Sequence, residues 1–233
     1  MPRPVPVVES RLIQGLECYY RPGTSDENVL KEVVEGHCYR RKTANFDVES
    51  GESWLDLGAN IGAFSLYCQT RGAVADCYEP DTECFSILQL NSGNCSCFNF
   101  AVTSQDSPRI EFYQSKNKSD HYRGTILQRT SMTPAGSVPN LYAKHIRKTY
   151  DGVKMDIEGS EFGLIDEELL PKCDKLVMEY HSSRDSSSSN LKKRLAKLRE
   201  RFKHVQYPPE FDRRIADKDN SKTFFDRLIF CWN

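Results

Sequence analysis

Glu52-Ser-Trp-Leu-Asp-Leu-Gly-Ala-Asn-Ile-Gly-Ala-Phe-Ser65 is the stretch that decides the fold. Ser53 to Leu57 is a short apolar run broken only by Asp56, the profile of a strand buried within a parallel sheet. Gly58 and Gly62 bracket a tight turn, and Ile61, Phe64, Leu66 and Cys68 follow with helical spacing. Strand, glycine turn and helix make the first βα unit of an open α/β sheet, whose ligand lies beyond the strand's carboxyl end. Gly58 tolerates φ > 0 and has no Cβ, so a ligand is expected to approach the backbone there. Asp56 is expected to point into the same crevice, where a carboxylate suits an ammonium group and repels a pyrophosphate.

Two cofactors are separated at this point. A dinucleotide fingerprint needs glycines at positions 58, 60 and 63, but the chain has Gly58, Asn60 and Ala63. The Asp-x-Gly-x-Asn-x-Gly pattern resembles the S-adenosylmethionine (SAM) loop of Rossmann-like methyltransferases instead. Ala73 to Tyr78 reads as a second parallel strand ending in Glu79-Pro-Asp81. Glu79 lies 23 residues after Asp56, close to the ~20 at which an acidic residue reaches a ribose diol. Both carboxylate oxygens can accept from vicinal hydroxyls. Asp81 or Thr82 is expected to cap the following helix.

Cys97 to Val102 reads as a third strand, with Ala101 near the adenine of a bound nucleoside. Ile110 to Tyr113 reads as a hairpin arm. Lys116 to Pro139 is polar and without period, so it reads as a binding loop or lid that sets substrate specificity. Leu141 to Thr149 reads as a polar helix. In Tyr150 to Phe162 a strand, glycine turn and helix start recur, and Lys154, Asp156 and Glu158 alternate with apolar residues. A central strand rarely carries three charges on one face unless they are paired or lie at its functional end. Leu176 to Tyr180 is a further strand, and His181 at its tip is a candidate general base.

Leu55 to Ser65, Tyr78-Glu-Pro-Asp81 and Lys154 to Glu161 together resemble, in order and spacing, the motifs of the FkbM-type methyltransferases. The similarity spans about residues 39 to 181. It implies a Rossmann-like seven-stranded α/β fold, a mostly parallel sheet with a C-terminal antiparallel hairpin, that binds S-adenosyl-L-methionine and usually O-methylates hydroxyls of sugars or natural products. On that resemblance Asp56, Gly58, Asn60 and Gly62 hold the methionine end. Glu79 takes the ribose and Asp81 or Ala101 the adenine side, with Ala59, Phe64 and Pro80 completing the cofactor set. Asp156, Glu158 and His181 are the acceptor-binding and general-base candidates, and Lys154 supports Asp156 or lowers an alkoxide's pKa. The oxygens of Asp156 and Glu158 would suit a hard cation, but two carboxylates do not define a site and no metal is assigned.

Residues 1–38 read as an extension covering the sheet, and 39–233 as the methyltransferase domain. Within the extension, Val29, Leu30, Val33 and Val34 share a face of a helix from about Ser25 to Glu35, capped by Thr24, Ser25 or Asp26. Asn190 to Phe202 reads as a helix with Leu191, Leu195, Leu198 and Phe202 inward and Lys and Arg outward. The closing hairpin is Phe224 to Trp232 with His204 to Tyr207. At 233 residues, with 38% hydrophobic and 28% charged residues, the chain suffices for one α/β domain. A formal net charge of −1 gives no global case for nucleic acid or an anionic membrane. Nine cysteines without a C-x-x-C pair read as reduced thiols of a cytoplasmic protein rather than a zinc site. No run approaches the about 18 apolar residues of a membrane span. Two rival readings stand beside the small-molecule or glycan acceptor. One is methylation of RNA at a ribose 2′-hydroxyl or cap, with Arg123, Arg129 and the Lys192 to Arg201 face as phosphate track. The other is a non-catalytic SAM-binding scaffold subunit.

Overall fold

The computed structural model describes residues 7–44, 46–115, 124–127, 132–181, 188–212 and 226–233. A seven-stranded sheet carries the architecture: β3 (Ser53–Leu57), β4 (Val74–Tyr78), β5 (Ser96–Phe98), β10 (Tyr150–Met155), β11 (Cys173–His181), β12 (His204–Gln206) and β13 (Asp226–Trp232). Their spatial order is β12-β13-β11-β10-β3-β4-β5. The four junctions from β11 through β10, β3 and β4 to β5 are parallel, and β13 runs antiparallel to both β11 and β12. The expected C-terminal hairpin is therefore the antiparallel edge of a mixed sheet. Strand order reverses between β3 and β10, so their carboxyl ends open the crevice where α/β sheets take ligands.

Helices cover both faces because β3 and β10, mostly apolar apart from the paired Asp56 and Lys154, are buried on both sides. One face packs α2 (Ala63–Thr70) and residues of the N-terminal segment, including Cys18, Leu30, Val33 and Val34, onto Trp54. The other packs α4 (Glu161–Asp166) and α5 (Ser188–Arg201) onto Leu55, Val153 and Met178. In the N-terminal segment β1 (Glu9–Ile13) and β2 (Leu16–Tyr20) form a hairpin around Gln14 and Gly15, both at positive φ. The helix that follows, α1 (Asp26–Leu30), gives way to a π-helical turn at Lys31–Glu35. Thr24 Oγ1 accepts from Asp26 N at 3.2 Å, while the Asp26 carboxylate turns to Arg21 in a buried pair at 2.8 Å.

Three expectations are corrected. Residues 97–102 are not one strand. Asn99 Nδ2 donates to the carbonyls of Glu79 and Pro80, and the chain turns there, so Ala101 leaves the main sheet. It begins β6 (Ala101–Thr103), the edge of a second, four-stranded sheet of order β6-β9-β7-β8. That sheet also holds β7 (Arg109–Ser115), β8 (Gly124–Thr125) and β9 (Met132–Tyr142). Much of the expected 116–139 loop is therefore strand. Pro134, Gly136 and Pro139 hide its alternation, and antiparallel pairing with β7 supplies the order. The expected helix at 141–149 reduces to a single 3₁₀ turn, Ala143–His145, because β9 continues through Tyr142. His121, Tyr122, Arg123 and Arg129 lie outside the described residues. Among the described residues, no helix is long and apolar enough to cross a membrane.

Candidate active site

A cavity of about 640 Å³ opens beyond the tips of β3, β4 and β10. Its walls include Gly58, Asn60, Glu79, Pro80, Asp81, Ala101, Asp156 and Glu158, while Tyr78, Phe100, Phe112 and Ile126 supply apolar surface. That mixture of polar and apolar walls suits a small organic ligand. Phe112, Gly124, Thr125 and Ile126 come from the second sheet, which thus forms one wall. Thr125 Oγ1 donates to the Glu158 carbonyl at 2.7 Å and ties that wall to the β10 exit.

Glu79 occupies the point between the two chain crossovers. One carboxylate oxygen accepts from Asn60 N and the other from Asp81 N, each at 2.8 Å. Burial, helped by the nearby Asp81 charge, pushes its pKa up to about 8 against the pull of these two backbone donors. Asp81 borders the cavity, but it is also the N-cap of α3 (Thr82–Asn91), accepting from Glu83 N at 2.8 Å and Cys84 N at 3.0 Å. Its other oxygen accepts from Gln114 on β7.

Gly58 is glycine for a reason other than the ligand approach expected of it. A Cβ there would stand 1.8 Å from the Asp156 carbonyl oxygen, since β3 and β10 exit side by side. Asp56 does not enter the crevice. It is fully buried behind the loop, with Oδ1 3.0 Å from Lys154 Nζ, and Lys154 also donates to the Gly58 carbonyl at 2.6 Å. Burial raises the Asp56 pKa and the lysine opposes it. Lys154 likewise pairs with Asp56 and does not border that cavity, while the Asp156 charge also acts on it, so it serves a buried ion pair and Asp156 together. Phe64 sits in the core, edge-on to Tyr39 and Trp54, and Gly62 packs at the start of α2 beneath Leu88. Ala59 is buried beside them. These residues shape the loop from behind.

The expected single charged strand face is also revised. Only Lys154 lies in β10; Asp156 and Glu158 follow it in a turn where Glu158 takes a φ of 52° and Gly159 one of 104°. Asp156 N still bonds to Leu57 O at 2.9 Å, which holds the turn against β3. His181, at the tip of β11, is 2% exposed. Its Nδ1 lies 3.0 Å from Glu161 Oε1, and Nε2 lies 3.4 Å from Glu158 and 3.6 Å from Asp156. Desolvation disfavours the imidazolium, but Glu161, Glu158 and Asp156 outweigh it and push the pKa up to about 10. A protonated ring has no lone pair for an acceptor's proton, so these surrounding charges weigh against the general-base role expected of His181. Glu161, invisible as a site residue in the sequence, is fully buried and held below its usual pKa by His181 despite that burial. Only the fold brings it to a histidine 20 residues away.

The donor set fits SAM. Asn60 Oδ1 and Asp156 Oδ1 are buried without a hydrogen-bond partner, on the cavity wall, and such atoms suit a ligand bearing N–H and O–H donors. Glu79 borders the same cavity, and a carboxyl group there can meet a ribose diol.

The family model for the methyltransferase FkbM domain matches residues 56–207, which contain every one of these polar groups. Comparison with curated proteins gives no match. Among solved structures, a Pyrococcus abyssi tRNA (uracil-54, C5)-methyltransferase bound to S-adenosyl-L-homocysteine aligns at 10% identity and a TM-score of 0.45, over 97% of this chain and 44% of its own. This chain therefore spans less than half of that enzyme. Aeropyrum pernix fibrillarin with natively bound SAM aligns at 10% identity and a TM-score of 0.47, over 99% and 84% of the two chains. A Geobacter metallireducens precorrin-6y C5,15-methyltransferase aligns at 11% identity and a TM-score of 0.44, over 92% of each.

Proposed function

Because the chain belongs to the FkbM methyltransferase domain family and its cofactor is S-adenosyl-L-methionine, we propose that it transfers a methyl group to a hydroxyl of a sugar-like or other small-molecule acceptor. The observation that carries this reading is Glu79, fixed by Asn60 N and Asp81 N and bordering the cavity. When bound, the cofactor supplies a methyl group already activated on a sulfonium.

The chain's own residues then have three tasks. Glu79 accepts from the ribose hydroxyls, and Pro80, Asp81 and Ala101 border the nucleoside beside the apolar wall of Phe100, Phe112 and Ile126. Gly58 and Asn60 present the loop to the methionine end, with Asp56, Ala59, Gly62, Phe64 and Lys154 setting its shape from behind. At the β10 exit, Asp156 and Glu158 orient the acceptor hydroxyl and take its proton, and His181 Nε2 lies 3.6 and 3.4 Å from the two carboxylates. In-line placement of two bound partners supplies most of the rate in such a transfer.

A neutral acceptor is supported by the basic residues of α5, which the RNA reading would use as a phosphate track and of which Arg194 is buried. Arg194 forks onto Asp166 at 3.0 and 2.6 Å, Lys197 lies 3.5 Å from Glu168, and Arg201 donates to the Leu170 and Pro171 carbonyls. These cations are spent on the α4 exit. Calorimetry with S-adenosyl-L-homocysteine, followed by turnover of labelled SAM against a panel of glycosides and extracts, tests the proposal. Glu79→Ala is expected to weaken cofactor binding at least about ten-fold, as loss of a buried hydrogen-bonding carboxyl group should. Absence of binding by the native chain would refute the reading, and binding without turnover would favour the scaffold.

A further inference from the structure

We propose that Asp156, Glu179 and His181 form a divalent-cation site behind the Asp156 wall of the cavity. One oxygen of each carboxylate and one imidazole nitrogen lie within 4.8 Å of one another. Ligands at about 2.0–2.3 Å from one ion stand roughly 3–4.5 Å apart, so small side-chain shifts close the set. The three come from two neighbouring strand tips, β10 and β11, fixed by their parallel register. Glu179 and His181 thus supply the ligands beyond Asp156 that the sequence alone did not bring together.

Two further observations point to an ion. His181 is 2% exposed, and Glu161 Oε1 engages both its Nδ1 and its backbone N at 3.0 Å. Nε2 is thereby aimed at the carboxylates, 3.4 Å from Glu158 and 3.6 Å from Asp156, and a cation bound there displaces the proton that the nitrogen otherwise carries. A carboxylate that fixes the far nitrogen of a ring is the usual support of a metal-bound histidine, and Glu161 is the positioning residue here. Asp156 Oδ1, the oxygen facing Nε2, is buried without a hydrogen-bond partner. One imidazole with two carboxylates is a borderline set, better matched to Mn²⁺ than to an all-oxygen Ca²⁺ cage.

The inference rests on the methyltransferase reading only for its use. With Asp156 on the ion, the acceptor oxygen is polarised and its O–H bond weakened. The proton passes to the Glu158 carboxylate, and the oxygen's freed electron pair forms the new bond to the methyl carbon as the carbon–sulfur bond breaks.

Mn²⁺ titration of the purified full chain, followed by electron paramagnetic resonance and calorimetry, tests the site. One ion per chain is expected, with affinity about ten-fold or more weaker in both Glu179→Gln and His181→Asn. S-adenosyl-L-homocysteine affinity is measured alongside and should change less than about two-fold in Glu179→Gln. His181→Asn is the variant exposed to misfolding, so Glu179→Gln carries the test if its partner does not fold. No stoichiometric uptake by the native chain, or uptake unchanged in Glu179→Gln, overturns the site. Nucleoside binding without Mn²⁺ binding sinks the ion and leaves the methyltransferase reading standing; the converse result supports the ion and removes its proposed use.

Discussion

At Gly58 the β10 exit leaves no room for a side chain, because the Asp156 carbonyl occupies the Cβ position and φ is +77°. Gly58→Ala must push two crossovers apart and strain its own backbone, so a loss of about 3 kcal/mol is expected in urea unfolding. Lys154 raises a different question. It neutralises a fully buried Asp56, and Lys154→Met would leave that carboxylate uncompensated, at a cost of about 3–5 kcal/mol. The double variant Asp56→Leu/Lys154→Met should recover much of the loss, and a denaturation cycle separates the two outcomes. Glu79 gives a pH signature. Its folded pKa, about 8, exceeds its ordinary value of 4.5, so its contribution to stability is present at low pH and lost as pH rises through 8. Ligand affinity moves the opposite way, since the ionised carboxylate is the better acceptor for a diol. Calorimetric affinity for S-adenosyl-L-homocysteine should therefore increase between pH 7 and 9, within about a unit of that midpoint, and Glu79→Gln should flatten the curve.

Among the elements, α5 shows how a sequence pattern and its use diverge. Its leucine stripe at 191, 195 and 198 reads directly as an inward face, and those residues are buried. The basic stripe is equally visible, but its occupation by Asp166, Glu168 and the carbonyls after α4 is set 28 to 31 residues away in the chain. Charge reversal at the outward Lys192 and Lys193 is accordingly expected to leave turnover and its salt dependence unchanged, as measured with labelled cofactor. A steep fall in acceptor affinity with salt would instead speak for a polyanionic acceptor. The β6–β9 sheet is the element least legible in the sequence. Its strands carry Gly and Pro and sit half-exposed, so neither alternation nor a continuous apolar run marks them.

For the molecule as a whole, the N-terminal segment is part of the core. Cys18, Leu30, Val33 and Val34 are buried in one cluster with Trp54 and Phe64, and Asn91 on α3 bonds to both polar groups of the Tyr19 backbone. A 39–233 fragment would expose that cluster and is expected to bind an apolar dye and melt without a cooperative transition. The chain's own residues determine the βα units, because local apolar runs, glycine turns and caps act within a few positions and leave their mark in order. The loop at Gly58, the acid at Glu79, the core stripes and the closing hairpin were legible for that reason. Only the tertiary structure decided that Asp56 turns inward to Lys154, that His181 is buried among three carboxylates, and that Glu161 and Glu179 join it. Each of those outcomes depends on burial and on charges brought close from distant strand tips, and electrostatics at a few ångströms has no representation in sequence distance.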